Sequence, residues 1–313
     1  MSWHPADLAM RCFHCGGKAV YELRYSGHWL CRRHFTGLFE RRVKKTIRQN
    51  RLLSKGDRVL VGLSGGKDSM TVLKILHDVI GPTRHSTLAA VSIDEGIRGK
   101  SLRRAVDYCR SLGVEYHTVS FREHFGFEID NVMRKVEDVM ACSVCGVLKR
   151  RLMNDYAKAV GATKVATGHN LDDEIQSAFM NVVRGDLDRL ARLGPEVGVS
   201  RHRSFVPRIK ILRECPEAEV RAYADLMKLP YSGRRCPYAK SSYRTTAREL
   251  LNRLEDKHPG SKYQMLRSTD ELASLMRERM AGRQPAVCGT CGEPSSGVKC
   301  KTCILLERLG SDA

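Results

Sequence analysis

Apolar and polar residues follow each other along the chain in blocks that predict strands and helices in turn. An apolar, β-rich run from Arg58 to Leu63 is followed by a glycine turn and then by apolar residues at helical spacing. Leu88 to Asp94, Val114 to Ser120 and Lys164 to Gly168 predict three more strands. Ser101 to Leu112 carries apolar residues on one helical face. This alternation predicts an α/β fold, a parallel sheet wrapped by helices, with ligands at the carboxyl ends of its strands.

The turn after the first predicted strand is Ser64-Gly65-Gly66-Lys67-Asp68-Ser69, and it opens a predicted helix. A strand, a glycine turn and a helix start direct backbone N–H groups and the positive end of the helix dipole to one point, where phosphate binds. Gly65 and Gly66 let the backbone approach an anion, and Lys67 adds a charged donor. The Walker A spacing is absent, and Asp68 beside a phosphate site predicts Mg²⁺. An ordinary Gly-Gly turn is the alternative.

The composition predicts a globular protein with a polyanionic partner. The 313 residues suggest about two domains, and 28% of them are charged. No apolar run approaches the roughly 18 residues of a membrane span, and no signal peptide opens the chain, so we expect a cytoplasmic protein without membrane association. Lys and Arg number 54 against 35 Asp and Glu, a net charge of +19. Such an excess favours nucleic acid as the partner, and a solvated basic surface is the alternative.

Twelve cysteines in a chain expected to be cytoplasmic favour metal or redox chemistry over disulfides. Two sets have the spacing of paired zinc knuckles, and each offers four ligands, the pattern of a closed structural zinc site. Such sites contribute folding free energy to segments too small to build a core, and buried free thiols are the alternative. The predicted zinc ligands are Cys12, Cys15, Cys31 and His34 near the N-terminus and Cys288, Cys291, Cys300 and Cys303 near the C-terminus.

A further pair, Cys142 and Cys145, has no second knuckle nearby and opens a predicted helix. The helix dipole there is expected to lower the thiol pKa and favour thiolate. Lys149 lies four residues after Cys145, on the same helical face. Cys236, in a Cys-Pro-Tyr segment, is favoured as the third partner over Cys215, which we interpret as structural. Three thiolates can hold an iron–sulfur cluster with one open iron or run a persulfide–disulfide cycle, and a third structural zinc is a further alternative.

The segment Thr167-Gly168-His169-Asn170-Leu171-Asp172-Asp173-Glu174 follows the fourth predicted strand and opens another helix. Gly168 is expected to permit close approach to a ligand. Asp172 and Asp173 offer carboxylates that bind Mg²⁺ or orient a substrate. Acidic residues in a first helical turn also complement the helix dipole without any function, and composition alone leaves both interpretations open.

The glycine turn resembles the PP-loop, SGGxDS, of the ATP pyrophosphatases, which cleave ATP between its α and β phosphates. Over nearly the whole chain, the order of motifs resembles the TtuA/NcsA family of tRNA 2-thiolation enzymes. That order is CxxC…CxxH, SGGKDS, a central CxxC with lysine four residues later, GHNLDDE, Cys-Pro-Tyr and a terminal CxxC…CxxC with Pro294-Ser295-Ser296-Gly297 between its halves. The resemblance implies a Rossmann-like, adenine nucleotide α-hydrolase-like parallel sheet flanked by N- and C-terminal zinc fingers.

The predicted domains follow the motifs. Residues 1–50 form the N-terminal zinc finger and a basic linker helix, and residues 51–232 the PP-loop ATP-binding catalytic domain. Residues 233–285 form a helical tRNA-contacting extension, and residues 286–313 the C-terminal zinc finger. The sequence thus predicts a catalytic domain between two small zinc-stabilised segments.

The resemblance implies an ATP-dependent tRNA uridine 2-sulfurtransferase, in which ATP adenylylates the uridine C2 oxygen before sulfur replaces it. It implies that Cys142, Cys145 and Cys236 hold an oxygen-sensitive [4Fe-4S] cluster whose fourth iron carries the incoming sulfide. Lys149 and Asp173 match catalytic positions, and Asp68 with Asp173 is expected to hold Mg²⁺. The sulfur donor would be sulfide or a ubiquitin-like thiocarboxylate protein, and a homodimer is a possible assembly. The expected nucleotide-binding residues are Gly62, Ser64, Gly65, Gly66, Lys67, Asp68, Ser69, Ile93, Gly168 and Asp173.

Two segments favour the wobble uridine over the T-loop uridine as the target. They are 181–189, which contains Arg-Gly-Asp, and 242–251, and T-loop enzymes usually lack the Arg-Gly-Asp run. Three rivals remain: a PP-loop enzyme with a nitrogen nucleophile, thiolation through a persulfide without a cluster, and a non-catalytic zinc-finger RNA-binding module. The arginines expected to contact tRNA phosphates are Arg184, Arg189, Arg192, Arg201, Arg203 and Arg208.

Overall fold

The computed structural model of the chain describes residues 10–83, 85–135, 141–197, 205–234, 236–239, 243–280, 286–295 and 297–310. Two of the predicted phosphate contacts, Arg201 and Arg203, lie outside the described residues. Ser242 and Ser296, which belong to the quoted motifs, also lie outside them.

In chain order, the strands of the described residues are β1 (Tyr21–Leu23), β2 (His28–Leu30), β3 (Arg58–Gly62), β4 (Thr87–Asp94), β5 (Glu115–Ser120), β6 (Lys164–Ala166), β7 (Glu196–Val197), β8 (Arg208–Ile209), β9 (Ala286–Val287) and β10 (Pro294–Ser295). Six of them form one sheet in the order β5-β4-β3-β6-β8-β7, and every neighbouring pair is parallel except β7 with β8. β1 with β2 and β9 with β10 form antiparallel hairpins.

The helices of the described residues are α1 (Arg32–Gln49), α2 (Lys67–Ile80), α3 (Arg103–Ser111), α4 (Phe121–Phe125), α5 (Ile129–Lys135), α6 (Ala141–Ala159), α7 (Leu171–Val183), α8 (Leu187–Ala191), α9 (Glu217–Leu226), α10 (Tyr243–Lys257), α11 (Ser261–Arg279) and α12 (Lys301–Arg308). A short 3-10 helix covers Pro237–Ala239. No helix in the described part of the chain combines the length and the apolar character that crossing a bilayer requires.

The predicted α/β fold is confirmed, and the four predicted strands correspond to β3, β4, β5 and β6. The fourth is shorter than predicted, since β6 ends at Ala166 and not at Gly168. β7 and β8 were not predicted, because a strand of two residues is too short to show an alternating pattern.

Helices cover both faces of the sheet. Val59 and Val61 of β3 pack in one core with residues of α1, α2 and α9, whereas Leu60 packs in another core with Ala157 of α6. Alternate side chains of a strand point to opposite faces, so a strand covered on both sides has a continuous apolar sequence. α2 and α6 therefore lie on opposite faces, and both begin at the edge where the parallel strands end.

α1 is part of the core that covers the sheet. Its side chains Phe35, Phe39, Val43 and Ile47 recur every fourth residue and are all buried. The Phe39 ring stacks on Tyr223 of α9 with 4.4 Å between ring centroids. Full burial of each such side chain contributes about 1.5–3 kcal/mol relative to exposure. The helix that follows the first cysteine set is thereby held against the body of the protein.

α12, in the C-terminal segment, packs on α6. Val144, Leu148 and Leu152 of α6 share one face of the helix and are buried together with Leu306 of α12. The same helix carries Cys142 and Cys145 in its first turns. The second cysteine-rich segment therefore lies against the helix that bears the central cysteine pair.

Candidate active site

The PP-loop joins the end of β3 to the start of α2. Gly65 has a φ of +77°, in the left-handed region that side chains disfavour. The Ser69 hydroxyl accepts a hydrogen bond from the Ser64 backbone N–H at 3.2 Å and donates one to the Gly66 carbonyl at 3.1 Å. No side chain in the described part of the chain caps α2. The N–H groups of its first turn thus remain available to a phosphate.

Lys67 and Asp68 form an ion-pair network with a residue that the sequence did not point to, Glu217 at the start of α9. Lys67 Nζ lies 2.9 Å from Asp68 Oδ2 and 2.9 Å from Glu217 Oε1. Burial lowers the pKa of Lys67, but these two carboxylates outweigh it and hold that pKa above its usual value. Asn170 Nδ2 donates to Asp68 Oδ1 at 2.9 Å, which connects the PP-loop to the start of α7.

Gly168 and Asp172 serve the packing of the site. A Cβ on Gly168 would lie 2.9 Å from the backbone nitrogen of Ser69, so the glycine allows a close approach to the PP-loop backbone. Its approach to a ligand stays a prediction. Asp172 accepts a hydrogen bond from the Glu217 backbone N–H at 2.7 Å and forms an ion pair with Lys262. Its carboxylate is buried among these partners, which favours the structural of the two interpretations that the sequence left open for Asp172.

Asp173 belongs to a capping box at the start of α7. Its backbone N–H donates to Asn170 Oδ1 at 3.1 Å, and its carboxylate accepts from the Asn170 backbone N–H at 3.3 Å. Burial, together with the negative charges of Asp68 and Glu217, raises the pKa of Asp173 to about 6, although hydrogen bonding and Arg244 act in the opposite direction. A bound cation would relieve this repulsion between carboxylates.

The three central thiols come from two distant parts of the chain. Cys142 and Cys145 lie at the start of α6, and Cys236 directly precedes the 3-10 helix. That 3-10 helix contacts α6, since Cys142 Sγ lies 3.6 Å from the Tyr238 carbonyl oxygen. Cys236 is also near enough to Cys145 and Lys149 for its charge to affect both pKa values. The structure thus brings together the thiols that the sequence grouped.

The predicted lowering of the thiol pKa is wrong for Cys145. Burial raises the pKa of Cys145, and the nearby Lys149 ammonium lowers it by less than burial raises it. The sequence shows that the thiol lies near a helix start but does not show how deeply it is buried. By contrast, the predicted position of Lys149 on the face of Cys145 agrees with the unbroken helix α6.

One cavity of about 270 Å³ joins the PP-loop to the helix of the central cysteines. The ends of β3 and β4 line one side, and α6 lines another. Four of the predicted catalytic and nucleotide-binding residues line it: Gly62, Ser64, Ile93 and Lys149. The other lining residues are Leu63, Val91, Glu95, Lys100, Gly146, Arg150, Met153, Thr167, His169 and Arg208.

Glu95 and Lys100 are cavity residues that sequence reasoning missed. The Glu95 side chain is 1% exposed and forms ion pairs with both Lys149 and Lys100. Burial raises the pKa of Glu95, but the two ammonium groups outweigh it and hold the pKa below its usual range. The available signal was the position of Glu95 directly after β4, at the edge where ligands bind.

His169 lines the cavity in its neutral form. Its Nδ1 lies 2.8 Å from the Thr167 hydroxyl. Burial, followed by the charge of Lys210, lowers the pKa of His169 to about 4. The ring is therefore uncharged near neutral pH.

Several cations lie close enough to Arg150, a residue of the cavity wall, to affect one another electrostatically. Arg208 has a lowered pKa because of burial and the charge of Arg150, and both side chains line the cavity. Burial and then Arg189, Arg150 and Arg192 lower the pKa of Lys301 on α12, although Asp186 acts in the opposite direction. Arg189, Arg192 and Arg208 were predicted phosphate contacts, and Arg150 and Lys301 join them. Repulsion within such a cluster is relieved by a polyanion.

Arg184 is the remaining predicted phosphate contact among the described residues, and it has a different neighbour from the arginines of this cluster. Its guanidinium carbon stacks over the Tyr243 ring, 4.6 Å from the centroid. A planar cation held over an aromatic ring keeps its edge available for hydrogen bonds.

Both predicted zinc-ligand sets are assembled. In the N-terminal set, Cys12 Sγ lies 3.2 Å and Cys31 Sγ 3.4 Å from His34 Nδ1. In the C-terminal set, Cys291 Sγ lies 3.6 Å from Cys300 Sγ. All four ligand atoms of each set lie within 4.8 Å of one another, a spacing that suits one tetrahedral ion.

Comparisons with known proteins agree along the chain. Residues 36–253 match the PP-loop domain, and residues 11–36 match the N-terminal LIM domain of the 2-thiouridine synthetase TtuA. The chain is 37% identical to the tRNA 2-thiolation protein NcsA of Haloferax volcanii, over 96% of this chain and 99% of that protein. It is 34% identical to the tRNA-5-methyluridine(54) 2-sulfurtransferase of Pyrococcus horikoshii, over 94% of this chain and 93% of that protein.

A solved structure is similar over almost the whole length. It is the U34-tRNA thiolase NcsA from Methanococcus maripaludis with its [4Fe-4S] cluster. The two chains are 33% identical, with a TM-score of 0.84, and the match covers 96% of this chain and 97% of the other.

Proposed function

Because the chain belongs to the TtuA/NcsA family of PP-loop tRNA 2-thiolation proteins, we propose that it is an ATP-dependent tRNA uridine 2-sulfurtransferase. One observation carries the proposal: a single cavity is lined by Ser64 of the PP-loop and by Lys149 of the central cysteine helix. ATP cleavage and sulfur transfer can therefore act on the same base. Two observations support tRNA as the substrate: the family to which the chain belongs, and the net charge of +19, which favours a polyanionic partner. A cytoplasmic location is part of this proposal.

In the first half of the reaction, ATP binds with its outer phosphates at the start of α2. The uridine C2 oxygen attacks the α-phosphorus, an O–P bond forms, and pyrophosphate leaves. Lys67 and the N–H groups of α2 stabilise the charge on that leaving group. Asp68 and Asp173 would hold Mg²⁺. Burial first, and then the negative charges of Asp68 and Glu217, raise the pKa of Asp173 to about 6, and a cation there would relieve the repulsion between the carboxylates. The base leaves its stack to enter the cavity.

In the second half, sulfide attacks C2, and AMP leaves with the former carbonyl oxygen. Lys149 stabilises the negative charge that develops as the C–O bond breaks. Its pKa is lowered by burial but raised more by Glu95, which keeps the side chain a cation.

Cys142, Cys145 and Cys236 would hold the [4Fe-4S] cluster. Among the described residues, only the two terminal sets bring three or more ligand atoms within 4.8 Å of one another. The central thiols are therefore spaced too widely for one zinc ion, and the donor set suits a cluster in which several irons separate the sulfurs. When bound, such a cluster supplies an iron position at which sulfide can be held. The two terminal sets would each hold one structural Zn²⁺.

The target position is proposed to be the wobble uridine. The similar proteins include one named for U34 and one named for position 54, at 33% and 34% identity, so overall similarity favours neither. The support comes from the Arg-Gly-Asp run that begins at Arg184 and from segment 242–251. Free sulfide or a ubiquitin-like thiocarboxylate protein is proposed as the donor, and a homodimer stays a prediction.

The proposal is tested by anaerobic reconstitution of the full chain with iron, sulfide, ATP, Mg²⁺ and unmodified tRNA. We expect AMP and 2-thiouridine in equal amounts, measured by chromatography and nucleoside mass spectrometry. Cys236→Ala should abolish 2-thiouridine, whereas the control Cys109→Ala, a buried thiol of α3, should retain it. Thiolation by iron-free protein would instead support the persulfide route, and AMP release without thiouridine would contradict the proposal.

The position is tested in a deletion strain. Mass spectrometry of its tRNA should show that 2-thiouridine derivatives vanish from the wobble position. Loss from the T-loop alone would overturn the choice of position while leaving the chemistry intact.

A further inference from the structure

The cavity contains a pair of lysines that share one buried carboxylate. Glu95 Oε1 pairs with Lys149, and Glu95 Oε2 pairs with Lys100. Lys100 Nζ also lies 3.2 Å from the Ile93 carbonyl oxygen, which anchors it beside the end of β4. The two ammonium groups therefore come from a loop and from α6, and one acidic side chain holds them side by side.

The charges of this group do not balance. One lysine would be enough to neutralise Glu95, yet two are present. Among the described residues that line the cavity, Glu95 is the only acidic one, against the four cations Lys100, Lys149, Arg150 and Arg208. Lys100 retains 24% exposure of its side chain and Lys149 40%, so neither is sealed away as a purely structural ion pair. An excess of fixed positive charge in a cavity attracts an anion.

The position of the two lysines indicates which anion they bind. Lys67 and the start of α2 serve the outer phosphates of ATP, and these leave together as pyrophosphate. The phosphate that stays on the base then needs another cation, and it must lie within the cavity that the base enters. Lys100 and Lys149 are cavity cations supplied from outside the PP-loop.

We propose that Lys100, held beside Lys149 by Glu95, is a second phosphate-binding lysine of the cavity and binds the phosphate that departs as AMP. Glu95 is the positioning residue of the pair. This inference rests on the proposed function for the identity of the reaction but not for the binding of a nucleotide phosphate. The structural alternative is that Lys100 only neutralises Glu95.

Titration calorimetry of the full chain with AMP and with adenosine separates these two roles. We expect Lys100→Gln to weaken AMP binding about tenfold, the low end of what one hydrogen bond to a charged group contributes. Adenosine binding should stay within about twofold, because adenosine lacks the phosphate. The control Lys55→Gln, an exposed lysine of the turn before β3 at the opposite edge of the sheet, should change neither affinity.

An equal weakening of AMP and adenosine by Lys100→Gln would mean that the pocket is distorted, and it would overturn the proposal. Unchanged affinity for AMP would overturn it as well. Neither result depends on thiolation, so the test still answers if the wild-type protein makes no 2-thiouridine and the proposed function fails.

Glu95 is tested through Glu95→Gln. A neutral amide no longer holds both lysines in place, but it also removes the one negative charge that opposes a phosphate. These two effects offset each other, so we expect AMP binding within about threefold of wild type and an unchanged number of AMP sites per chain. The kcat of thiolation per AMP site should fall about tenfold or more, with the KM for ATP within about threefold. An unchanged kcat per AMP site would overturn the positioning role of Glu95.

Discussion

The two cysteine-rich ends of the chain have similar ligand spacing but are attached to different parts of the protein. The N-terminal end continues into α1, which packs on α9 through Phe39 and Tyr223. Its hairpin reaches the C-terminal helices, where Arg24 lies 2.6 Å from Asp256 and the Tyr25 ring meets the Tyr263 ring edge to face. None of the residues in these contacts lines the cavity.

The C-terminal end is attached to α6, the helix that carries Cys142, Cys145 and Lys149. Arg151 of α6 donates a hydrogen bond to Cys291 Sγ at 3.3 Å, and Lys158 pairs with Glu293 at 2.6 Å. Arg151 lies two residues after Lys149. A ligand of the second zinc site is therefore hydrogen-bonded to the helix that forms a wall of the cavity.

The difference suggests that the same zinc-ligand spacing serves mainly stability at one end of the chain and also the reaction at the other. Both ends would gain folding free energy from zinc, because neither is large enough to build a core. The C-terminal end is hydrogen-bonded to α6 and packs against it, so disorder there is expected to reach the reaction. Disorder at the N-terminal end is expected to reduce stability more than turnover.

The largest effect should come from removing one zinc ligand at each end. Cys31 and Cys300 are matched, since each is the residue that precedes the helix after its set. We expect Cys300→Ser to lower zinc content, iron content and thiolation, the last by about a hundredfold, because a small displacement of α6 misplaces the reacting groups. Cys31→Ser should lower zinc content and Tm but leave kcat per folded chain within about twofold. Equal loss of kcat in both variants would remove the distinction.

The next effect concerns stability on the N-terminal side. Arg42 of α1 lies 2.6 Å from Glu219 of α9, and their side chains are 13% and 4% exposed. Arg42→Met leaves a buried carboxylate without its partner, so the free energy of unfolding should fall by about 3–5 kcal/mol in chemical denaturation. Thiolation by the folded protein should be unchanged. A loss of kcat at denaturant concentrations too low to unfold the protein would contradict the separation between the N-terminal side and the cavity.

The control for that variant is Arg24→Met. Arg24 and Asp256 are 60% and 61% exposed, and water screens such a pair. We expect its loss to leave the midpoint of chemical denaturation close to that of the wild type.

A smaller effect is expected from breaking the link between α6 and the second zinc site. Arg151→Met removes the hydrogen bond to Cys291 and the 2.5 Å ion pair with Asp155. Zinc release to a chelator should become about tenfold faster, the low end of what contacts around a metal ligand contribute. The rate of thiolation should fall in the same variant. Arg151→Lys should bring zinc release and thiolation only part of the way back to wild type, because lysine lacks the guanidinium fork. Unchanged zinc release would show that the contact is incidental.

The smallest effect is a response to acid on the cavity side. The pKa of His169 is lowered to about 4 by burial, whereas an unfolded histidine titrates near 6.5. Its contribution to stability is therefore complete above the unfolded value and is lost as pH falls from about 6.5 towards 4. Because the His169 side chain is exposed to solvent, water screens part of this effect, and we expect about 1 kcal/mol of loss at most by pH 5. His169→Gln should remove this part of the pH dependence of unfolding, and a variant curve parallel to wild type would contradict it.

Much of the fold could be predicted because the signals are local. The apolar pattern of β3 and that of α2 can each be recognised within a few residues. A Gly-Gly turn between a strand and a helix is a fairly specific sign of a phosphate-binding site. The two zinc-ligand sets were recognisable because a tetrahedral ion requires fixed spacing within short loops. β7 and β8 escaped prediction, since two residues carry no period.

The sequence by itself determined strands β3 to β6, the phosphate-binding turn with the helix after it, and the two zinc-ligand sets, because each depends on neighbours along the chain. The tertiary structure alone decided that Glu95 joins Lys149 to Lys100, that Glu217 faces Lys67 and that Asp172 is occupied by Lys262. It also decided that Cys145 is buried, which reverses the expected pKa shift. Burial and pairing between distant segments arise only when the helices pack on the sheet, so no local pattern records them.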